Sequence, residues 1–165
     1  MKLRSAAIVL AAAGALLAAG APAYADPAAP TFIKSTGNVR IDPANPRVGY
    51  IPAQYRCSGE GGLWASVKQV ANRSRDPRLL EEGSSRISAA WSDSHRNALN
   101  CDGRVHFAVF TVDQLEPYYT DEGPAGPKSD FFGPLRLGSG YVQLCLFDDQ
   151  YTDFPASDMV FRTVA

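Results

Sequence analysis

The chain has 165 residues, 45% of them hydrophobic, with 16 Lys and Arg against 17 Asp and Glu. A net charge of −1 gives no reason to expect nucleic acid or an anionic membrane as partner. Two histidines and three cysteines leave little material for a transition-metal centre.

The opening "MKLRSAAIVLAAAGALLAAGAPAYADP" is read as a secretory signal. Lys2 and Arg4 form a cationic head, residues 5–25 carry no charge, and Ile8, Val9, Leu10, Leu16 and Leu17 form the apolar centre. Ala23 and Ala25 flank Tyr24 in the small-x-small pattern of a cleavage site, placing the cut between Ala25 and Asp26. The alternative is an uncleaved membrane anchor, since the stretch nearly spans a bilayer. Its alanine and glycine content favours cleavage, and no second apolar run of spanning length follows. The expected product is secreted and extracellular, with no membrane attachment once the signal is cut. Removing Lys2 and Arg4 leaves 14 basic against 17 acidic groups, a net charge of −3. Residues 26–112 carry 11 basic and 8 acidic groups, and residues 113–165 carry 3 and 9.

Residues 26–37 read as a disordered leader, and residues 38–165 as one domain of ordinary size. No long segment repeats apolar residues at helical spacing. Gly and Pro punctuate short Val-, Tyr- and Phe-rich runs, the mark of an all-β sandwich or barrel. "NVRID" (38–42) is expected to be a first edge strand. In "RVGYIPAQYRC" (47–57) the period of two sets Ile51, Ala53, Tyr55 and Cys57 on one face. Pro52 has no N–H for a ladder, so this strand needs an unpaired side or a bulge there. "LWASVKQVA" (63–71) is the next strand, with Leu63, Ala65 and Val67 sharing a face. "DPRLLEE" allows a single helical turn capped by Asp76 with Pro77 in first position, and "ISAAWSDS" a short strand. "RVHFAVFTVDQ" (104–114), apolar on both faces, is expected to be a central strand covered on each side. A long loop follows, then strands in "SGYVQLCLFDDQ" (139–150) and "DMVFRTV" (158–164).

Cys57, Cys101 and Cys145 all fall in the exported part, where a disulfide is the default for a close pair. Joining Cys57 to Cys101 closes about 44 residues, and joining it to Cys145 about 88. Chain entropy values these at roughly 4 and 4.6 kcal/mol, too close to choose between them. In an antibody-type domain the second strand bridges to the sixth, selecting Cys145, with a Tyr two residues before it. Gln143 holds that place instead. In the alternative, neighbouring antiparallel strands bring the end of "YRC" beside the start of "CDGRVHF".

The combination of signal peptide, "YRC", "VKQV", "CDGRVH" and "LGSGYVQ" over most of residues 38–150 resembles an uncharacterised family of small actinobacterial secreted domains. The resemblance implies an immunoglobulin-like antiparallel sandwich of about seven strands, bridged between Cys57 and Cys101. Cys145 is then a free thiol, either packed inertly or forming an intermolecular bridge, so the protein is a monomer or a dimer through Cys145. The family has no assigned activity.

Little in the sequence points to catalysis. His95 and His106 form no H-x-x-x-H pair, no C-x-x-C is present, and "GSG" at 138–140 is no nucleophile elbow. No catalytic residue, metal or cofactor is expected. Asp148, Asp149, Asp153 and Asp158 cluster without EF-hand spacing, and read as a solvated acidic loop. Asn72 heads an N-x-S sequon, accidental in a bacterial protein. The functional lead is "EPYYTDEGPAGPKSDFF", where Tyr118 and Tyr119 could form an interaction surface on a rigid scaffold, while Phe131 and Phe132 fold back as a cap. The expected function is a non-catalytic domain that binds an extracellular protein or ligand. The alternative is a small-ligand carrier resembling the enediyne-binding apoproteins, although these usually carry two bridges. A secreted hydrolase ranks third.

Overall fold

The computed structural model describes residues 30–59, 61–96, 98–148 and 153–165. The signal peptide, residues 26–29 of the leader and Asp149 lie outside the described residues. The chain is all-β, with ten strands in the described residues: β1 (Phe32–Ser35), β2 (Arg40–Ile41), β3 (Gly49–Arg56), β4 (Gly62–Gln69), β5 (Ala90–Arg96), β6 (His106–Val112), β7 (Pro117–Thr120), β8 (Gly123–Pro127), β9 (Gly138–Phe147) and β10 (Ala156–Val164). In the first sheet β3 pairs with β1 and β2 on one side and with β6 on the other; the second has the order β10-β9-β4-β5. Strands of both sheets are antiparallel. The chain passes from β3 to β4 in the opposite sheet, returns from β5 to β6, and crosses again to β9 and β10. This is the connectivity of an immunoglobulin-like sandwich, with β5 beside β4.

The strand count exceeds the expected seven for two reasons. A hairpin, β7–β8, stands outside the two sheets. The first edge strand is also broken in two, and Pro52 explains why. β1 pairs with residues 53–56 of β3, and β2 with residues 49–50. Between them the Pro52 carbonyl accepts from Thr36 N at 2.9 Å, so its ring nitrogen faces the same edge with no hydrogen to give. The edge strand leaves β3 there. Val39 forms a parallel bridge to Val164 of β10, which ties the two sheets together. Deeper in the same corner, Arg162 donates to Ser35 Oγ at 2.8 Å, and Ser35 N and Oγ donate to Asp158 at 2.7 Å.

The disordered leader expected over residues 26–37 is corrected here: Phe32–Ser35 is β1. Its local signal is weak because four residues gain stability only by pairing with β3. A second correction concerns residues 104–114. β6 is not a central strand covered on both faces. It pairs with β3 alone over its length, and its outward side chains Phe107 and Val109 are 75% and 60% exposed.

The core lies between the sheets. Ile51, Ala53 and Tyr55 from β3, with Cys57 just beyond it, meet Leu63, Ala65 and Val67 from β4, Phe110 and Val112 from β6, and Val142, Leu144 and Leu146 from β9. Each aliphatic or Phe side chain buried this way contributes about 1.5–3 kcal/mol. The Cys57–Cys101 disulfide joins the end of β3 to the turn before β6, which decides the pairing that loop entropy left open. Cys145 is free and buried; it sits on β9 opposite Trp64, on the face away from the core. At the N-terminal end of β4 the sheet surface passes very close to a ring. A Cβ on Gly62 would lie 2.3 Å from Phe147 ring carbons, so only glycine fits. Residues Pro77–Leu80 form one 3-10 turn, capped by the Asp76 side chain accepting from Arg78 N. No described helix is long and apolar enough to cross a membrane.

Candidate functional site: an aromatic cleft beneath the hairpin

Alternation along β4 and β5 sends Leu63, Ala65 and Val67 inward and Trp64, Ser66, Lys68, Trp91, Asp93 and His95 outward. On the outer face of this sheet, that second set meets the β7–β8 hairpin. A cleft of about 320 Å³ lies between them, with Trp64, Trp91, Tyr119, Phe147 and Phe154 among its walls. The hairpin is held down by Lys128, which follows β8. Its backbone N donates to Glu116 O and its ammonium to Pro117 O, both at 3.0 Å.

The cleft carries buried charge. Lys128 Nζ lies 3.0 Å from Asp93 Oδ2, both side chains almost fully buried, and Trp64 Nε1 donates to the same oxygen at 3.3 Å. Burial pushes the Asp93 carboxyl up, while Lys128 and Trp64 pull it back. Trp91 stands between two ammonium groups, Lys68 Nζ at 4.5 Å and Lys128 Nζ at 4.7 Å from its ring centre, a favourable pairing where water is excluded. Burial holds Lys68 below the usual lysine range, and the neighbouring Lys128 cation adds to this. Lys68 also donates to Ser84 Oγ at 3.1 Å. At the rim His95 Nδ1 lies 3.2 Å from Glu116 Oε1, and its ring stacks near Trp64.

Two buried polar atoms of cleft residues have no partner among the described residues: Trp91 Nε1 and Asp93 Oδ1. Buried polar groups are almost always hydrogen-bonded, and leaving one unmade costs about 1–3 kcal/mol. Both residues line the cleft, so an unpaired donor and an unpaired acceptor lie buried in its wall on neighbouring outward positions of one strand.

Tyr118 and Tyr119, the residues of the expected interaction loop, are strand residues of β7 with different roles. Tyr119 is 66% exposed and lines the cleft. Tyr118 packs against Trp91, Phe131 and Phe132 at ring-centre distances of 6.2, 5.0 and 5.3 Å. Phe132 is buried, Phe131 half exposed. Accordingly, Tyr119→Ala should change unfolding free energy by less than about 0.5 kcal/mol, and Tyr118→Ala should lower it by about 2 kcal/mol. Equilibrium urea denaturation of both variants checks this, and equal losses would dismiss the division of roles.

Trp91, Asp93 and Lys128 were missed in the sequence. The alternation in "AWSDSH" is the signal that places Trp91, Asp93 and His95 on one face, but nothing local pairs that face with Lys128. His106 stacks on Tyr55 at 5.4 Å and meets Asp102 Oδ1 at 2.8 Å. Asp158 is engaged by Ser35 in the sandwich corner. No group of three or more His, Cys, Asp or Glu among the described residues could hold a metal ion. Burial pushes the Cys145 thiol up, away from the thiolate that a nucleophile requires. A second depression, of about 470 Å³, is lined by Arg47, Asp113 and Gln114. Its guanidinium is already donating to Gln114 and to the Ser129 and Phe132 carbonyls, so it offers a ligand less than the aromatic cleft does. No family model matches this chain and no curated protein is similar to it, so the cleft is read from its own geometry.

Proposed function

We propose that the protein is a secreted, non-catalytic immunoglobulin-like domain, of the actinobacterial type its motifs resemble, that captures another molecule outside the cell in the cleft beneath the hairpin. The observation that carries this reading is the aromatic-walled cleft of about 320 Å³ between the outer sheet face and the hairpin, with Trp64, Trp91 and Tyr119 in its lining. The charged groups of the cleft are engaged with one another, Lys128 with Asp93 and His95 with Glu116, which suits binding better than proton transfer. The disulfide supports an oxidising compartment. Burial of Cys145 favours a monomer over a dimer bridged through that thiol.

A second reading, the small-ligand carrier, gains from the size of the cleft. About 320 Å³ lies within the range of small-molecule sites, roughly 300–1,000 Å³. Native mass spectrometry of protein taken from culture medium should then show a small organic mass above the polypeptide. Titration with a naphthol should quench tryptophan emission, and Trp91→Ala should weaken that binding about tenfold. A bare polypeptide with emission unmoved by the probe would rule out the carrier reading.

A further inference from the structure

Several strand edges of the sandwich are covered or blunted. The outer edge of β10 is covered through Val39, Ile41 and Ser35. That of β5 is covered through the Asp93–Asp113 and Ala90–Gly133 bridges. The hairpin strands carry Pro117, Pro124 and Pro127, which blunt an edge. Among the described residues, the far side of β6 before Thr111 has no such cover.

The register shows which groups are open there. Pro52 turns its polar atoms toward β1, so its partner Val109 makes no ladder bond to β3. Odd-numbered residues of β6 therefore aim N–H and C=O away from β3. Thr111 O on that side is taken by Ser94 Oγ, and Asp113 exchanges backbone bonds with Asp93. For Phe107 and Val109 no described residue does the same. Their side chains are also exposed, and the run "HFAVFTV" holds no lysine, acid or proline. Native edges seldom combine these properties, because such a strand invites another to pair with it.

The spacing of the open groups selects the occupant. Phe107 and Val109 are two residues apart, which makes them complementary to themselves. A two-fold axis through Ala108 sets Phe107 opposite Val109 of a second copy, and Val109 opposite Phe107 of that copy. Each such pair exchanges two backbone bonds, so four bonds use every open group of both residues. The two side chains of a pair project from the same outward face, and each exposed ring then lies beside an exposed valine.

Charge agrees with that alignment. β6 carries no Lys, Arg, Asp or Glu, so no like charges meet along the paired strands. Beyond its N-terminal end, the same register sets exposed Arg104 opposite Val112 and next to Asp113 of the second copy. Among the described residues neither Arg104 nor Asp113 belongs to a salt bridge. The two-fold axis forms this opposite-charge pair twice, once at each end of the interface.

We propose that β6 is the interface of a homodimer, in which the two β3–β6 sheets join edge to edge through antiparallel β6 strands. The paired stretch ends at Thr111, where β5 already closes the edge through Ser94. Cys145 and the cleft belong to the opposite sheet, so the dimer needs no bridging thiol and does not depend on what the cleft holds.

Sedimentation equilibrium of the purified protein should show a monomer–dimer equilibrium that weakens as salt is raised. Val109→Pro removes one open N–H on the side away from β3, and should raise the dimer dissociation constant about tenfold or more. Val109→Thr keeps that N–H and the branched shape, and should keep the dimer, as should Cys145→Ala. Charge exchange reads the orientation of the strands. Arg104→Glu alone and Asp113→Lys alone should each weaken self-association. A mixture of the two variants should form a heterodimer tighter than either homodimer, because opposite charges then meet at both ends. A protein that stays monomeric at about 1 mM would overturn the proposal and leave the edge to a strand of another protein. So would a dimer that survives Val109→Pro unchanged, one lost with Cys145→Ala, or a mixture without preference for the heterodimer.

Discussion

Replacing Cys57 and Cys101 together by alanine should lower the free energy of unfolding by about 4 kcal/mol. The bridge spans 44 residues of sequence, and that loop includes β4, β5 and the 3-10 turns Pro77–Leu80 and Ser84–Ile87. Without it the unfolded chain regains the freedom of the whole excursion through the opposite sheet. A domain of this size is held by only about 5–15 kcal/mol in total, so the loss should be visible as an early urea midpoint. Cys145→Ala is the matching control, since it removes a buried thiol but no cross-link. A double variant no less stable than that control would show that the link does not clamp the sandwich.

Lys128→Met should be comparably severe, about 3–5 kcal/mol at neutral pH, because it leaves the Asp93 carboxylate buried without its counter-ion. The loss should shrink on acidification. Asp93 titrates above its unfolded counterpart, so its contribution is fully present below the unfolded carboxyl value and is lost as pH rises through the raised native one. Removing Lys128 raises that native value further, so a modest drop in pH protonates the acid and relieves the penalty. Adding Asp93→Leu to Lys128→Met should recover most of the stability at neutral pH. Urea unfolding at neutral pH and again near about pH 5 checks both effects. A loss of the same size under both conditions would mean that Asp93 is not the charge at fault.

The same pair governs the cleft. The Lys128 ammonium ties the hairpin residue Pro117 to Asp93 of β5 and presses on Trp91. Its loss should therefore loosen the wall that carries Tyr119. If the cleft captures a ligand as proposed, stability and capture are coupled through one ammonium group. This follows from building a site between a sheet face and an element outside the sheet.

How far these features were legible depends on the range of the forces behind them. The inward set of β3 and that of β4 followed from alternation alone, because a strand with one buried face must place apolar side chains at every second residue. The turn capped by Asp76 was legible because its donor lies two residues away. β6 misled because Phe107 and Val109 are apolar but outward. Alternation could not distinguish a covered face from one left open on the surface. The hairpin was missed for the opposite reason: Pro117, Pro124, Gly126 and Pro127 weaken every local strand signal, and only packing on Trp91 and Lys128 holds it.

The sequence by itself determined the class of the protein: short β segments with their inward faces, one proline that cannot donate to a ladder, and a capped turn. All of these depend on neighbours a few residues apart, where backbone sterics and period act without help. Only the tertiary structure decided which cysteine Cys57 meets, that Phe107 and Val109 face water, and that Trp91, Asp93 and Lys128 share a cleft. Those outcomes depend on which strands lie side by side across tens of residues. That choice is made by burial and hydrogen bonding summed over the whole sandwich, and no local stretch of sequence carries it.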